Sequence, residues 1–333
     1  MKRYFAVFLL LTFSLPGFAA KKPLYEYFRV GAMEDVADIA TTPGTVLMGG
    51  GIDVDAAFQW MCTRSGNGDF LVIRATGTDA YNPYIQELCP SGNSVATLII
   101  PTIEAANSEE VIAIINRAEA IWIAGGDQSN CINYWKGTPV QEAINARILE
   151  RIPVGGTSAG LDVLTQFIYS AQANKGVTSK QALADPFSKF ISLDSNFVTT
   201  LPFLSGIIGD SHFITRDRLG RDIAFLCRIY DNGWSNQPRG ISVDEETALL
   251  IDEDGTGKVV GNSHVYFLQA PGEPEVCESK RPLTYKDIHV YRINAQVDSS
   301  YDLFAWQGFN GTEYNVSAIE GVLTSDQDNL ALY

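Results

Sequence analysis

One stretch limits what this chain can become: Ile152-Pro153-Val154-Gly155-Gly156-Thr157-Ser158-Ala159-Gly160-Leu161. A short apolar run ends in Gly-x-Ser-x-Gly and passes into the helix-patterned residues 161–168, which predicts strand, sharp turn and helix, the layout of a nucleophile elbow. Glycine is demanded at 156 and 160, because a backbone bent that tightly leaves no room for Cβ atoms beside the serine. The expected helix start aims the Ala159 N–H at negative charge forming on an attacked carbonyl. Ser158 is therefore the candidate nucleophile. Gly-x-Ser-x-Gly also arises by chance, so the surrounding pattern has to decide.

That pattern is an alternation. Apolar strand-like runs at 44–48, 70–75, 95–100 and 120–124 are separated by helical stretches such as 56–61 and 108–118. Strands alternating with helices predict an α/β fold with a mostly parallel sheet covered by helices on both faces. Residues 24–39 read as a short lead-in helix. Gly49-Gly50-Gly51 lacks both the dinucleotide spacing and a P-loop lysine, so it reads as a tight turn and not a phosphate loop. Gly125-Gly126-Asp127-Gln128 follows a strand, and loops after strand carboxyl ends form the ligand crevice of such sheets. The Gly126 N–H is the candidate second oxyanion donor, and Gln128 a candidate substrate contact. The plainer alternative is a turn with an N-cap.

A serine nucleophile needs a base that titrates near neutrality. Of the three histidines, His212 alone stands near other polar chemistry, after the strand-like run 206–209. Arg216, Arg218 and Arg221 crowd one segment of a chain whose formal net charge is −15. On an open surface such a run is ordinary; beside a reactive site its guanidinium forks would clamp a carboxylate. The acids at 244–246 lie between two strand-like runs, and one of them is a candidate to orient His212. None of the histidines has metal-ligand spacing, and neither a metal centre nor a cofactor is expected.

The charge balance disfavours nucleic acid and anionic lipid and favours cationic or zwitterionic partners. Residues 1–20 follow the charged, apolar, small-residue order of a cleaved secretory signal, too short in its apolar part to span a bilayer. A secreted or periplasmic location is expected, without stable membrane insertion. In an oxidising compartment the five cysteines allow two disulfides and one leftover thiol, with the pairing open.

Taken in order, four blocks resemble the cyanophycinase and aspartyl dipeptidase E family of serine peptidases: Gly125-Gly126-Asp127-Gln128, Gly156-Thr157-Ser158-Ala159-Gly160, Asp210-Ser211-His212-Phe213 with the three arginines, and residues 240–248. The resemblance spans roughly 44–270, about the length of one compact α/β unit. It implies a class I glutamine amidotransferase-like (flavodoxin-like) sandwich over 44–270, to which a β-rich extension, 271–333, is expected to pack. By position it implies Ser158 as nucleophile, His212 as general base and Glu245 as orienting acid. It places Gln128, Asp210, Ser211, Arg216, Arg218 and Arg221 in the substrate pocket. The Gly-Asp-Gln block and the arginine run bring the chain nearer to the cyanophycinases than to the dipeptidases. The family usually has Gln where Ser211 stands and often Ala at Leu161, so the pocket wall differs. The implied substrate is cyanophycin, cut to β-aspartyl-arginine; the alternatives are an α-aspartyl or isoaspartyl dipeptidase and a catalytically silent binding protein. A homodimer is kept open.

Overall fold

The computed structural model describes residues 23–36, 38–173 and 175–333. The expected secretory segment, 1–20, lies outside the described residues. In chain order the strands are β1 (Glu26–Gly31), β2 (Gly44–Met48), β3 (Asp69–Arg74), β4 (Ser94–Ile99), β5 (Ala120–Ile123), β6 (Val154–Thr157), β7 (Phe167–Tyr169), β8 (Leu193–Ser195), β9 (Ile207–Asp210), β10 (Arg239–Val243), β11 (Thr247–Asp252), β12 (Thr256–Gly261), β13 (His264–Gln269), β14 (Tyr285–Asn294), β15 (Ser300–Asp302), β16 (Gln307–Phe309), β17 (Thr312–Ile319) and β18 (Val322–Ser325). The helices are α1 (Asp55–Arg64), α2 (Tyr81–Leu88), α3 (Ile103–Ala106), α4 (Glu109–Ile115), α5 (Gln128–Trp135), α6 (Pro139–Leu149), α7 (Ala159–Asp162), α8 (Ser179–Ala184) and α9 (Leu219–Asp231). Among the described residues no helix is long and apolar enough to cross a membrane.

The strands form two sheets, in the orders β1-β4-β3-β5-β6-β2-β11-β12-β15-β16 and β18-β17-β14-β13-β10-β9-β7-β8. Side chains that alternate along each strand divide the core. Leu47, Leu71 and Ile121 face one way, toward Ile241 and Phe267 of the second sheet and Trp135 and Ile144 of α5 and α6. Val46, Phe70 and Trp122 face the other way, under Phe58 of α1 and Ile85 of α2. Tyr266 and Leu268 point from the far face of the second sheet toward Phe225 and Leu226 of α9. Period-two burial of this kind is what a strand covered on both faces requires.

The α/β class holds, and the expectation of a mostly parallel sheet is corrected. Only β4-β3-β5-β6-β2 runs parallel in the first sheet. β1 and β11 flank it antiparallel, and the second sheet is antiparallel except for β10-β9-β7. The physical reason is connection length. Parallel neighbours need a crossover of a dozen or more residues, whereas from β10 onward some paired strands follow one another across links as short as 253–255 and 320–321. Two local expectations also change. The lead-in helix is the edge strand β1, and the elbow helix is the single turn α7, after which the chain returns to β structure at β7. Residues 271–333 supply strands to both sheets, with β14 between β13 and β17 and β15 against β12.

Candidate active site

The sequence forces an unusual backbone at the end of β6. Ser158 has φ 54° and ψ −119°, a conformation that L residues avoid. Space holds it there: a Cβ on Gly156 would lie 2.5 Å from the Gly160 carbonyl, and one on Gly160 1.9 Å from the Ile123 oxygen. The Ser158 N–H donates to the Met48 carbonyl at 3.0 Å, which ties the elbow to the end of β2.

His212 arrives from β9 with φ 48° and donates its N–H to the Gly49 carbonyl at 2.8 Å. Its Nε2 lies 2.8 Å from Ser158 Oγ, and its Nδ1 lies 2.5 Å from Glu245 Oε1. Glu245 sits on the link 244–246, where the chain passes from β10 in the second sheet to β11 in the first. Three side chains distant in sequence therefore meet in one line. His212 is only 6% exposed, and burial lowers its pKa; the hydrogen bond to Glu245 opposes this, while the charges of Arg216 and Arg218 reinforce it. At neutral pH the imidazole is then uncharged, with Nδ1–H donating to Glu245 and Nε2 accepting from the Ser158 hydroxyl.

Gly49, Gly50 and Gly51, read from the sequence as a plain turn, form the floor under this pair. A Cβ on Gly49 would lie 1.9 Å from the Asp244 oxygen, one on Gly50 2.4 Å from His212 Cε1, and one on Gly51 3.0 Å from Glu245 Cβ. The signal was available: a glycine triplet at the carboxyl end of a core strand, where the crevice of an α/β sheet opens. Across the crevice, the N–H groups of Gly126 and Ala159 make no hydrogen bond among the described residues. Because α7 is one turn long, it adds little dipole, and any oxyanion binding there would fall to individual N–H groups.

The remaining predicted residues stand beside the line but are largely committed to one another. Asp210, at the end of β9, is 2% exposed; burial alone would raise its pKa, yet Arg221 and Arg218 hold it well below the usual carboxylate range. It accepts from Arg221 Nε at 2.6 Å and from Arg221 Nη2, and from Arg218 Nη1 at 2.8 Å. Arg218 also donates to the Ser211 carbonyl at 2.6 Å, with the Ser211 hydroxyl 3.4 Å away. Arg216 is exposed and makes no ion pair among the described residues. Gln128 Nε2 donates to Asp162 Oδ2 at 3.2 Å and to the Tyr169 carbonyl at 3.1 Å, which leaves its Oε1 as the free group. Sequence reasoning missed the two buried acids behind these residues. Burial and then the Asp210 charge push Asp162 up to about 7 and raise Asp222 well above the ordinary range. An acid at 162 inside an apolar run was the signal, since buried carboxyls are rare without partners.

An elbow serine touching an imidazole, at the carboxyl edge of parallel strands, is the architecture of a serine-type hydrolase. Comparison with known proteins narrows the class to peptidases: the model of Peptidase family S51 matches residues 75–259, and the chain belongs to that family. It is 28% identical over 197 residues to a cyanophycinase of Trichormus variabilis, a match covering 57% of this chain and 60% of that protein. Against a cyanophycinase of Synechococcus elongatus it is 28% identical over 200 residues, covering 60% of this chain and 56% of the other. The chain thus matches less than two thirds of the length of these curated relatives. A peptidase from an acI-B1 actinobacterium superposes with a TM-score of 0.49 at 16% identity, over 68% of this chain and 91% of that one.

Proposed function

We propose that this peptidase hydrolyses cyanophycin, a poly-aspartate chain carrying arginine on each β-carboxyl, to β-aspartyl-arginine dipeptides through an acyl-enzyme. The observation that carries the reading is the Glu245–His212–Ser158 line on a glycine-walled elbow. Ser158 Oγ attacks the backbone carbonyl while His212 Nε2 takes its proton, and Glu245 stabilises the imidazolium. The Gly126 and Ala159 N–H groups receive the oxyanion. The imidazolium then protonates the leaving amine, and the neutral ring activates the water that frees the acyl group. The exposed Arg216 is assigned to a substrate carboxylate, and the free Oε1 of Gln128 to a substrate N–H. Asp210, Ser211, Arg218 and Arg221 shape the wall behind them.

Export is part of the proposal. Cys62 is paired with Cys89 and Cys227 with Cys277, leaving Cys131 buried, and two disulfides suit a secreted or periplasmic protein. Mass spectrometry of products from insoluble cyanophycin, with wild type, Ser158→Ala and His212→Ala, tests the reading. Release of β-aspartyl-arginine by wild type alone supports it. Cleavage of soluble aspartyl dipeptides but not of the polymer would replace it with the dipeptidase, and unchanged release by both variants would reject the mechanism.

A further inference from the structure

Beside the Ser158 line lies a cavity of about 480 Å³ that the chemistry above does not use, lined by Ile52, Asp53, Asp55, Arg74, Tyr81 and Tyr84. It opens on the same sheet edge. Ile52 follows Gly51, which packs on Glu245. Arg74 ends β3, and the next residues, Ala75 and Thr76, share a small crevice with Gly126 and Ala159. The end of β3 therefore separates the cavity from the oxyanion donors.

Its walls have a definite chemistry. The Tyr81 and Tyr84 rings stand 6.4 Å apart at 49° to each other. The Tyr81 hydroxyl donates to Asp53 Oδ1 at 3.2 Å and the Tyr84 hydroxyl to Asp55 Oδ1 at 2.6 Å, so both carboxylates are fixed in place with lone pairs to spare. Burial, reinforced by Asp55, raises the Asp53 pKa against the Tyr81 hydrogen bond. The one cation in the lining, Arg74, spends its donors on backbone: it donates to the Thr76 carbonyl at 2.6 Å and to the Thr78 carbonyl at 3.0 Å. Two aromatic faces, an apolar rim at Ile52 and two anchored carboxylates suit a flat cation on an apolar stem. A neutral apolar occupant would desolvate both carboxylates without compensation, and an anion would be repelled.

We infer that this cavity is a subsite for an arginine side chain of the peptide substrate, at a residue other than the one cut. The inference rests on the peptidase reading, since it is the shared edge with Ser158 that makes the occupant part of the same substrate. A remote cation site would hold a polymer while the bond at Ser158 is broken, so binding energy gathered away from the reacting carbonyl would serve the reaction.

The experiment separates the two ideas. Ser158→Ala protein is titrated with N-acetyl-arginine amide and with its uncharged isostere N-acetyl-citrulline amide, followed by NMR of the Tyr81 and Tyr84 ring protons. The arginine compound is expected to shift both rings and to bind at least tenfold more tightly than citrulline. Adding Asp53→Asn and Asp55→Asn together should remove that preference, and the exposed Asp55→Asn alone, which leaves the core untouched, should reduce it severalfold. Arginine binding that leaves the tyrosine signals unmoved, or a preference that survives in the double variant, overturns the inference. In active protein the same substitutions should raise KM for an arginine-bearing polymer relative to a citrulline-bearing one by a similar factor. If wild type cuts neither polymer the peptidase substrate fails, while the titration still judges the cavity.

Discussion

The Glu245–His212–Ser158 line and the Asp210–Arg221 cluster both draw on the end of β9, through His212 and Asp210, and are made from similar groups, yet they handle charge in opposite ways. In the line Glu245 Oε1, the two ring nitrogens and Ser158 Oγ are joined in single file, and the neutral ring keeps a nitrogen available to the serine hydroxyl. In the cluster every charge is answered at once: Asp210 takes both Arg218 and Arg221, and the acids behind it are driven toward their neutral forms. A group that must accept a proton during a reaction cannot be saturated, whereas a group that holds a wall must be. Removing a member should therefore cost activity on one side and folding on the other.

Ser158→Ala is the largest break. Loss of the nucleophile should lower kcat by roughly 10⁴- to 10⁶-fold, with little change in Tm, measured by burst-free steady-state assay and thermal denaturation. Arg221→Met tests the other side. Arg221 is 3% exposed, and its removal leaves Asp210 half-answered in the interior, at a cost of about 3–5 kcal/mol of stability by chemical denaturation. If Ser158→Ala unfolded the protein, or Arg221→Met left stability intact, the contrast between the two regions would fail. Between these extremes lies Gly50→Ala. At φ 93° and with a Cβ 2.4 Å from His212 Cε1, it should displace the ring and lower kcat/KM by about 10²-fold while Tm falls modestly.

How much of this was legible in the sequence follows from how local each cause is. Ser158, Gly156 and Gly160 act on one another within one turn, so the elbow could be read directly. The strands β2 to β5 could be read because each is buried on both faces and reads as a largely apolar run. The second sheet could not. His264 to Gln269 looks the same whether it pairs with its sequence neighbour β12 or, as observed, with β10 and β14, and only tertiary contact decides. The same holds for 161–168, whose apolar period suits a helix until pairing of Phe167 with Ile208 claims its end for β7. Glu245 came from the resemblance alone, because three successive acids look alike until the fold turns one of them toward His212.

A smaller effect sharpens the comparison where the two regions touch. The His212 pKa lies below its ordinary 6.5, chiefly through burial, so kcat/KM should rise with pH through a midpoint under 6.5, as the ring loses its proton, and then level off. Arg216 contributes to that depression without belonging to the saturated cluster. Arg216→Gln should move the midpoint upward, read from the pH profile of kcat/KM on one fixed substrate. A midpoint that stays put would mean that the charge of Arg216 is screened by solvent before it reaches the ring.

The smallest effect concerns Asp162, which lies within the saturated side but carries Gln128 toward the reactive one. Its native pKa is pushed up to about 7, first by burial and then by the charge of Asp210, against an ordinary 3.8. Between those two values the native state binds the proton that the unfolded chain has released, so stability falls as pH rises across that window and the whole penalty is present above it. Asp162→Asn removes the titration and keeps an oxygen that can still accept from Gln128 Nε2. Its Tm should match wild type near pH 4 and exceed it by a few degrees at pH 8. A gain of equal size at both values would assign the effect to packing; a loss at pH 8 would show that the carboxylate is held charged by Arg218 and Arg221, and would make Asp162 a third member of the ion-pair cluster and not its neutral backing.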